Sequence, residues 1–248
     1  MNFHVITLFP EMIENALSFS VIGRAMENGI INLDTISLRA FSVNSYGSVD
    51  DYTYGGGAGM LISCEPVWGA YQEAVSRVMR NREEEETGND LPDKRIRVIY
   101  TSPAGKLFNE KMAEELSKEE DLIILCGHYE GVDQRIIDKI VTDEISIGDY
   151  VLTGGELPAL VIMDAVGRRI NGVLNNSGSP ESESFENGLL EYAQYTRPSE
   201  WMGEKVPDIL LSGDHAAVDT WRITSSKERT KKVRPELLEK WYKDRGIF

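Results

Sequence analysis

Residues 122–131 read LIILCGHYEG, an uninterrupted apolar run that passes directly into a glycine-bounded turn. Five consecutive apolar residues that end at glycine are typical of a strand buried on both faces. Strands of this kind belong to parallel sheets whose two faces are covered by helices. The stretch therefore predicts a parallel α/β domain, with the turn at residues 127–131 at the carboxyl end of a central strand.

The sequence on either side of this strand alternates between strand and helix patterns. Further strands are predicted at residues 2–9, 31–38 and 96–100. Helices are predicted at residues 12–17, 21–26, 65–80, 109–118 and 134–140, and an apolar helix is predicted to end at about residue 169. Residues 102–105 (SPAG) are predicted to form a turn, and the acidic residues 81–93 a solvated loop. This alternation favours a parallel sheet flanked by helices.

Three loops meet the condition for a ligand crevice, which in open parallel sheets lies outside the carboxyl ends of the strands. They are residues 100–105, 127–131 and 147–155, and each contains glycine, which lets the backbone approach a ligand closely. Neither a G-x-G-x-x-G motif nor a P-loop occurs, so a dinucleotide site and a P-loop site are both unfavoured. Backbone and apolar groups would line this crevice, and an adenosine with a charged tail would suit it.

The charge of the chain argues against nucleic-acid binding except at one stretch. The 248 residues carry 26 Lys plus Arg against 41 Asp plus Glu, a net charge of −15. A surface of this charge repels the phosphates of a nucleic acid. Residues 222–234 (RITSSKERTKKVR) nevertheless hold six cationic side chains and a single glutamate. Such a concentration in an acidic chain indicates a phosphate-contacting surface.

The remaining composition indicates a cytoplasmic protein of one or two domains without a membrane segment. The two cysteines, Cys64 and Cys126, have no metal-binding spacing and read as reduced thiols. The Ser, Gly, Asn and Pro content of residues 171–184 is that of a linker, and the sequence beyond it looks helical and polar, without strand runs. The chain is therefore divided at about residues 172–185.

Two groups of side chains near this division are candidates for chemistry. Arg168 and Arg169 follow the last helix of the sheet domain, where cations also simply offset the helix dipole. Glu181, Glu183 and Glu186 lie in or beside the linker, where a carboxylate next to a crevice is a candidate general base. Spacing alone does not select one of the three.

A set of ordered motifs resembles one family over nearly the whole chain. The motifs are TLFPEM at 7–12, VDD at 49–51, YGGG at 54–57, CG at 126–127, YEG at 129–131, SIGDYVL at 146–152, GGELP at 154–158, YTRP at 195–198, LLSG at 210–213 with His215, and RPELL at 234–238. In these the sequence resembles the bacterial tRNA (guanine-N1)-methyltransferases of the TrmD type, in the SPOUT superfamily.

The resemblance implies a fold, a cofactor and partners. Residues 1–171 would be a methyltransferase domain with a deep trefoil knot that binds S-adenosylmethionine. Residues 172–185 would be a flexible linker and residues 186–248 a helical tRNA-binding domain. The protein would be a cytoplasmic homodimer whose sites are shared between subunits. Its substrate would be tRNA with guanine at position 37, next to the anticodon, and the reaction would depend on Mg²⁺, for which the sequence names no ligand.

The resemblance also assigns residues by their place in the motifs. Arg168 and Glu183 match the catalytic positions, whereas Lys227, Arg229, Lys231, Lys232 and Arg234 are assigned to RNA by the basic charge of residues 222–234 described above. The cofactor-binding positions are Tyr100, Thr101, Ser102, Pro103, Gly127, Tyr129, Glu130, Gly131, Ile147, Gly148, Tyr150, Leu152, Gly154, Gly155 and Pro158. Five positions depart from the family pattern. Glu183 stands where the family has aspartate, and His128 where it usually has arginine. The others are Ala58 in place of proline, Gln194 in place of histidine and Asp214 in place of asparagine.

The predicted reaction is methyl transfer to N1 of guanine after Glu183 removes the N1 proton, with Arg168 stabilising the negative charge on O6. Three alternatives remain open on the sequence. Glu183 and His128 are the features that favour an RNA-binding SPOUT paralogue with weak or lost activity. The second alternative is a SPOUT methyltransferase that acts on another RNA. A small-molecule enzyme is the third, and the basic residues 222–234 weaken it.

Overall fold

A computed structural model describes residues 1–43, 47–57, 59–85, 96–174 and 183–247. Its contacts divide the chain into two compact units, Met1–Asn175 and Asn176–Phe248. Within the described ranges, no helix has both the length and the apolar character that crossing a membrane requires.

The first unit alternates strands and helices along the chain. Its strands are β1 (Asn2–Thr7), β2 (Asn32–Ser37), β3 (Asp50–Tyr52), β4 (Met60–Ile62), β5 (Arg97–Leu107), β6 (Asp121–Cys126) and β7 (Asp143–Ser146). Its α-helices are α1 (Pro10–Leu17), α2 (Ser20–Glu27), α3 (Cys64–Glu85), α4 (Glu110–Leu116), α5 (Gln134–Ile140) and α6 (Glu156–Gly167). A 3-10 helix, Leu38–Phe41, follows β2.

Five of these strands form one sheet in the order β2-β1-β6-β5-β7, and each neighbouring pair is parallel. All six residues of β6 are buried, as expected for an apolar strand covered on both faces. Two hydrophobic clusters cover those faces: Leu122 and Ile124 point into one, and Ile123 and Leu125 into the other. The predicted parallel α/β sheet flanked by helices is thereby confirmed.

The turn predicted at residues 102–105 is wrong, because this segment continues β5 to Leu107. The pairing with β7 shifts register between Thr101 and Lys106, so the intervening residues form a bulge. Pro103 is tolerated because β6 ends at the partner of Thr101 and leaves the bulge without a ladder on that side. At Gly105 an added Cβ would lie 2.4 Å from the backbone nitrogen of Ile145, so the two strands approach too closely for a side chain.

Strand β7 itself has no counterpart in the sequence prediction, which passed from helix α5 directly to a loop. The four residues of β7 (DEIS) contain two acidic side chains and no alternating apolar pattern long enough to be recognised. The strand forms because Ile145 and Ser146 are buried against β5.

Helix α3 runs five residues beyond its predicted end at residue 80. Its last turns are rich in arginine and glutamate, which are good helix formers, and Glu73 and Arg77 form a stabilising pair one turn apart. The loop predicted at residues 81–85 is therefore wrong, because α3 covers them, and the rest of that predicted loop, residues 86–93, lies outside the described residues.

The second unit contains a short hairpin and two helices. Its elements are β8 (Glu200–Trp201), β9 (Glu204–Lys205), a 3-10 helix (Asp208–Leu211), α7 (His215–Val233) and α8 (Pro235–Asp244). The antiparallel β8–β9 hairpin corrects the prediction that no strand occurs here; two-residue strands are too short to give a period. Residues 175–182 of the predicted linker, including Glu181, lie outside the described residues.

Candidate active site

A cavity of about 380 Å³ lies at the carboxyl ends of β5, β6 and β7. Its wall is built from residues 100–104, 127–131, 145–148 and 150–155, together with Pro158. These residues overlap the three loops selected from the sequence, residues 100–105, 127–131 and 147–155. All fifteen positions assigned above to the cofactor line this cavity. The prediction left out Ala104, His128, Ile145, Ser146, Val151 and Thr153, which also line it. Each of these six lies in a predicted loop or within two residues of one. Their position in or near these loops was therefore the sequence signal that could have identified them as lining residues.

Hydrogen bonds at Gly155 join all three segments. The Gly155 N–H donates to the Gly127 carbonyl at 2.8 Å, and the Thr101 hydroxyl donates to the Gly155 carbonyl at 3.2 Å. An added Cβ on Gly155 would lie 2.3 Å from the Thr101 hydroxyl oxygen and 2.7 Å from the Gly127 nitrogen. Glycine at 155 is therefore required by this close approach, which brings the N-terminus of α6 against the end of β6.

The segment after β7 is ordered by its own side chains. The Ser146 hydroxyl accepts the Gly148 N–H at 3.2 Å and lies 3.1 Å from the Gly148 carbonyl, to which it donates. The Tyr150 hydroxyl donates to the Ile147 carbonyl at 3.2 Å, which folds the exposed tyrosine ring back over this turn. The result is a compact wall of backbone and aromatic surface on one side of the cavity.

The opposite wall, residues 127–131, is supported by the β3–β4 hairpin. The Glu130 N–H donates to the Met60 carbonyl, and the Ile62 N–H donates to the Gly131 carbonyl, both at 3.0 Å. Tyr129 occupies the left-handed backbone region with φ of 59°. These contacts fix a conformation that the turn's own sequence does not dictate.

A buried carboxylate lies directly behind the cavity. Glu156, the first residue of α6, accepts a hydrogen bond from the Thr7 hydroxyl at 2.7 Å with Oε1. Its Oε2 lies 3.3 Å from Nε2 of His128, whose ring packs on Phe9 with centroids 5.1 Å apart. Burial, together with the Glu156 charge, raises the pKa of the neighbouring Cys126 thiol well above its ordinary value, so this thiol stays protonated. Burial also raises the pKa of the Tyr100 hydroxyl.

The two predicted catalytic residues belong to different units. Arg168 caps the C-terminus of α6 in the first unit, where its N–H donates to the Asp164 carbonyl at 3.0 Å. Glu183, in the second unit, is half-buried and precedes a turn in which the Phe185 N–H donates to the Leu189 carbonyl. Each unit therefore places its own residue on an ordered backbone.

The predicted RNA-binding residues lie on α7 and just beyond it. Arg229, Lys231, Lys232 and Arg234 are exposed, and Arg234 pairs with Glu236. The Lys227 ammonium lies 4.6 Å from the centre of the Trp241 ring, a cation–π contact within the unit. Among the described residues, no three His, Cys, Asp or Glu side chains come together as a metal site, so no ligand is assigned to Mg²⁺.

Fold and cavity together define a class of protein: an α/β protein with a parallel sheet and a ligand cavity of glycine turns at the carboxyl edge. Within that class, the family model described as tRNA (Guanine-1)-methyltransferase TrmD matches residues 1–240. The chain belongs to this family.

Individual relatives agree with the family match. The chain is 53% identical to the tRNA (guanine-N(1)-)-methyltransferase of Lachnoclostridium phytofermentans, over 96% of this chain and 91% of the relative. It is 48% identical to the protein of the same name from Clostridioides difficile, over 97% of this chain and 98% of the relative. A third, from Staphylococcus epidermidis, is 47% identical over 100% of this chain and 96% of its own length.

Proposed function

We propose that this chain transfers a methyl group from S-adenosylmethionine to N1 of the guanine at position 37 of tRNA. The observation that carries the proposal is the cavity at the carboxyl ends of β5, β6 and β7, because the family's donor-binding motifs converge there from three separate segments. The relatives are named for guanine-N1 methylation of tRNA, and the chain covers more than nine-tenths of their lengths.

The residues of the cavity fit the methyl donor. Glycine turns offer backbone N–H and C=O groups, and at Gly127 an added Cβ would lie 3.0 Å from the Tyr100 ring, so the cradle excludes a side chain. Tyr100, Ile147, Leu152 and Pro158 supply apolar surface for an adenine ring, and the volume suits a small molecule. When bound, S-adenosylmethionine supplies an activated methyl group.

The deep trefoil knot belongs to the same proposal. The path of the chain after β7 supports it. Strand β7 lies at the edge of the sheet, next to β5, whereas Gly155 lies at the end of β6, two strands away. There the Gly155 N–H donates to the carbonyl of Gly127, the residue that follows β6. Such a crossing keeps the three donor-contacting segments in register.

In the proposed mechanism, Glu183 acts as general base and Arg168 stabilises charge. Guanine N1 carries a proton and is a poor nucleophile until that proton leaves, and the Glu183 carboxylate accepts it. Negative charge then grows on guanine O6, where the Arg168 guanidinium donates a charge-assisted hydrogen bond. N1, once deprotonated, would take up the methyl group of S-adenosylmethionine held by the cavity residues, and the neutral thioether left behind would keep the bonding electron pair.

We also propose a homodimer whose active sites are shared between subunits. Leu157, Val161 and Asp164 form an exposed stripe on α6, at spacings of four and three residues, and Arg168 continues it four residues later. Leu157 and Val161 are each 47% exposed, and Phe9 and Met12 expose further apolar surface at the start of α1. A self-complementary contact across a two-fold axis would cover this surface and place Arg168 at its margin.

The second unit is proposed to bind tRNA through the basic stretch on α7. Arg229, Lys231 and Lys232 present exposed cations along it, which suits phosphate contacts. Two free thiols and a tRNA substrate both suit the cytoplasm, where we place the reaction. A requirement for Mg²⁺ remains part of the proposal, without an assigned ligand.

The deciding experiment measures transfer of labelled methyl to two matched tRNA transcripts, one with guanine and one with adenine at position 37. We expect transfer to the first transcript alone, with the label at N1 of that guanine. Donor binding without transfer to either transcript would support the RNA-binding paralogue. Transfer to both transcripts, with label at another nucleotide, would support a methyltransferase that acts elsewhere on RNA.

A further inference from the structure

The Glu156 carboxylate is a buried charge that the proposed mechanism does not use. Glu156 is 2% exposed, and a buried carboxylate is costly unless its oxygens are satisfied. Both oxygens are engaged: Oε1 accepts the Thr7 hydroxyl at 2.7 Å, and Oε2 lies 3.3 Å from Nε2 of His128. Two apolar residues of the same volume often stabilise a fold as much as a buried ion pair does. Stability alone is therefore a weak explanation for the pair of Glu156 and His128.

The contacts of Glu156 reach both walls of the cavity. Glu156 directly follows the Gly154–Gly155 turn of one wall, whereas His128 belongs to the turn of the other. The backbones of His128 and Gly154 form an isolated antiparallel bridge. An added Cβ on Gly154 would lie 2.3 Å from Nε2 of His128, so the imidazole fills the space behind that glycine.

The third member, Thr7, ties this pair to the end of β1. The Thr7 hydroxyl accepts the Phe9 N–H at 2.9 Å while it donates to Glu156, so its orientation is fixed from both sides. The Phe9 ring then packs on the His128 ring at 58°. Thr7, Glu156, His128 and Phe9 thus form a closed loop of contacts around one side of the imidazole.

We infer that Thr7, Glu156 and His128 are positioning residues that set the separation of the two walls of the cavity and thereby the affinity for the methyl donor. The contact of Nε2 with Glu156 Oε2 and the packing of the Phe9 ring against the imidazole hold the His128 ring in place. The ring in turn holds residues 127–131 against the Gly154–Gly155 turn. The identity of the ligand rests on the proposed function; the positioning role rests on the contacts alone.

The test compares donor binding and kinetics in three variants with conserved size. His128→Leu removes the contact to Glu156, His128→Gln retains an N–H donor near the same point, and Glu156→Gln is isosteric but uncharged. We expect His128→Leu to raise the Kd for S-adenosylmethionine, measured by calorimetry without tRNA, by about tenfold or more. The KM for the donor should rise in parallel, with kcat at saturating donor within about twofold of wild type. His128→Gln should recover most of the affinity, and Glu156→Gln should lie between the two.

The chain offers a matched control in its other buried histidine–carboxylate cluster. His4 lies between Asp34 and Asp121 at the opposite ends of the strands, away from the cavity. His4→Gln should lower the melting temperature but leave the donor Kd and KM unchanged. If the bond between His128 and Glu156 matters only for stability, His128→Leu will behave like His4→Gln, and the positioning role is then excluded.

Two further results are decisive. An unchanged donor Kd in folded Glu156→Gln, with wild-type KM, overturns the inference even if His128→Leu does not fold. A wild-type protein that binds no S-adenosylmethionine overturns the proposed function instead, and with it the ligand named for this cavity.

Discussion

At the scale of single residues, the proposed chemistry depends on Glu183, whose side chain is a methylene longer than the aspartate implied by the family resemblance. Glu183 keeps the carboxylate that a general base requires, but the longer side chain changes its reach and approach angle. The backbone after it is ordered, because the Ser184 hydroxyl accepts the Glu191 N–H and the Phe185 N–H donates to the Leu189 carbonyl. The position of the base is thus set by a fixed turn and its angle by the extra methylene.

Glu183→Gln should lower turnover on bound tRNA by at least about a hundredfold, the usual scale for a positioned base. The change is isosteric and removes only the ability to accept a proton. Single-turnover methylation with saturating donor and tRNA measures the effect directly. Glu186→Gln, three residues further on, is the matched control and should remain within about threefold of wild type. Near-normal transfer by the Glu183 variant would exclude that residue as the base.

At the scale of elements, the amino ends of β1, β2 and β6 meet in a buried charged cluster. His4, which is 1% exposed, contacts Asp34 at 3.1 Å and Asp121 at 3.5 Å, and Arg82 pairs with Asp121. Burial by itself would lower the pKa of His4, but the hydrogen bonds that the imidazole donates to Asp121 and Asp34 outweigh burial and raise it. Burial would raise the pKa of Asp121, but the contacts with His4, Asn2 and Arg82 outweigh it and lower it.

These shifts predict a pH window for stability. Because the pKa of His4 is raised in the folded protein, His4 stabilises the fold fully at pH values below its ordinary pKa of about 6.5. That stabilisation is lost as the pH rises through the pKa in the folded protein. Because the pKa of Asp121 is lowered in the folded protein, Asp121 stabilises the fold at pH values above its ordinary pKa of about 3.9. That stabilisation is lost as the pH falls through the pKa in the folded protein. The cluster therefore contributes most between about pH 4 and about pH 6.5.

Denaturant unfolding of wild type and His4→Gln across pH 5 to 9 measures this contribution. The difference in unfolding free energy between them should be about 1 to 3 kcal/mol near pH 6 and should shrink toward pH 9. A difference that stays constant over the whole range would show that His4 does not titrate with the fold.

The basic helix α7 gives a prediction on tRNA affinity. Replacing Arg229, Lys231 and Lys232 by glutamine should weaken tRNA binding and reduce the slope of log K against log salt by about one for each phosphate that is no longer neutralised. The matched control replaces two exposed lysines, Lys111 in α4 and Lys118 just after it, each paired with a glutamate four residues away. Filter binding at several salt concentrations separates the two sets. Equal slopes in all three proteins would show that α7 does not contact phosphate.

At the scale of the whole molecule, a shared active site predicts complementation between two inactive variants. If Arg168 and Glu183 act in one site from different subunits, a heterodimer of Arg168→Ala and Glu183→Gln contains one intact site and one doubly altered site. Co-expression should then restore about a quarter of wild-type activity, since about half of the dimers are mixed and each has one working site. Activity no higher than that of either variant alone, in dimers shown to be mixed, would place both residues in the same subunit.

Much of the first unit could be predicted from the sequence because its signals are local. The apolar run at residues 122–126, the helix periods and the glycine loops predicted a parallel sheet, and the loops selected three segments that do line one cavity. The assignment of donor and base to particular residues came from the family motifs, and that of the RNA surface came from the basic residues 222–234. These residue roles remain predictions.

Only the tertiary structure decided what depends on contacts between distant segments. Residues 102–105 have the composition of a turn, yet they extend β5 because β5 pairs with β7 on both sides of the bulge. Strand β7 in turn forms only because it pairs with β5. Glu156 has no local signal either; its partners Thr7 and His128 lie 149 and 28 positions away in sequence. Local propensity records the conformations a segment can adopt, whereas burial and partnered hydrogen bonds, which arise only when the chain closes on itself, select among them.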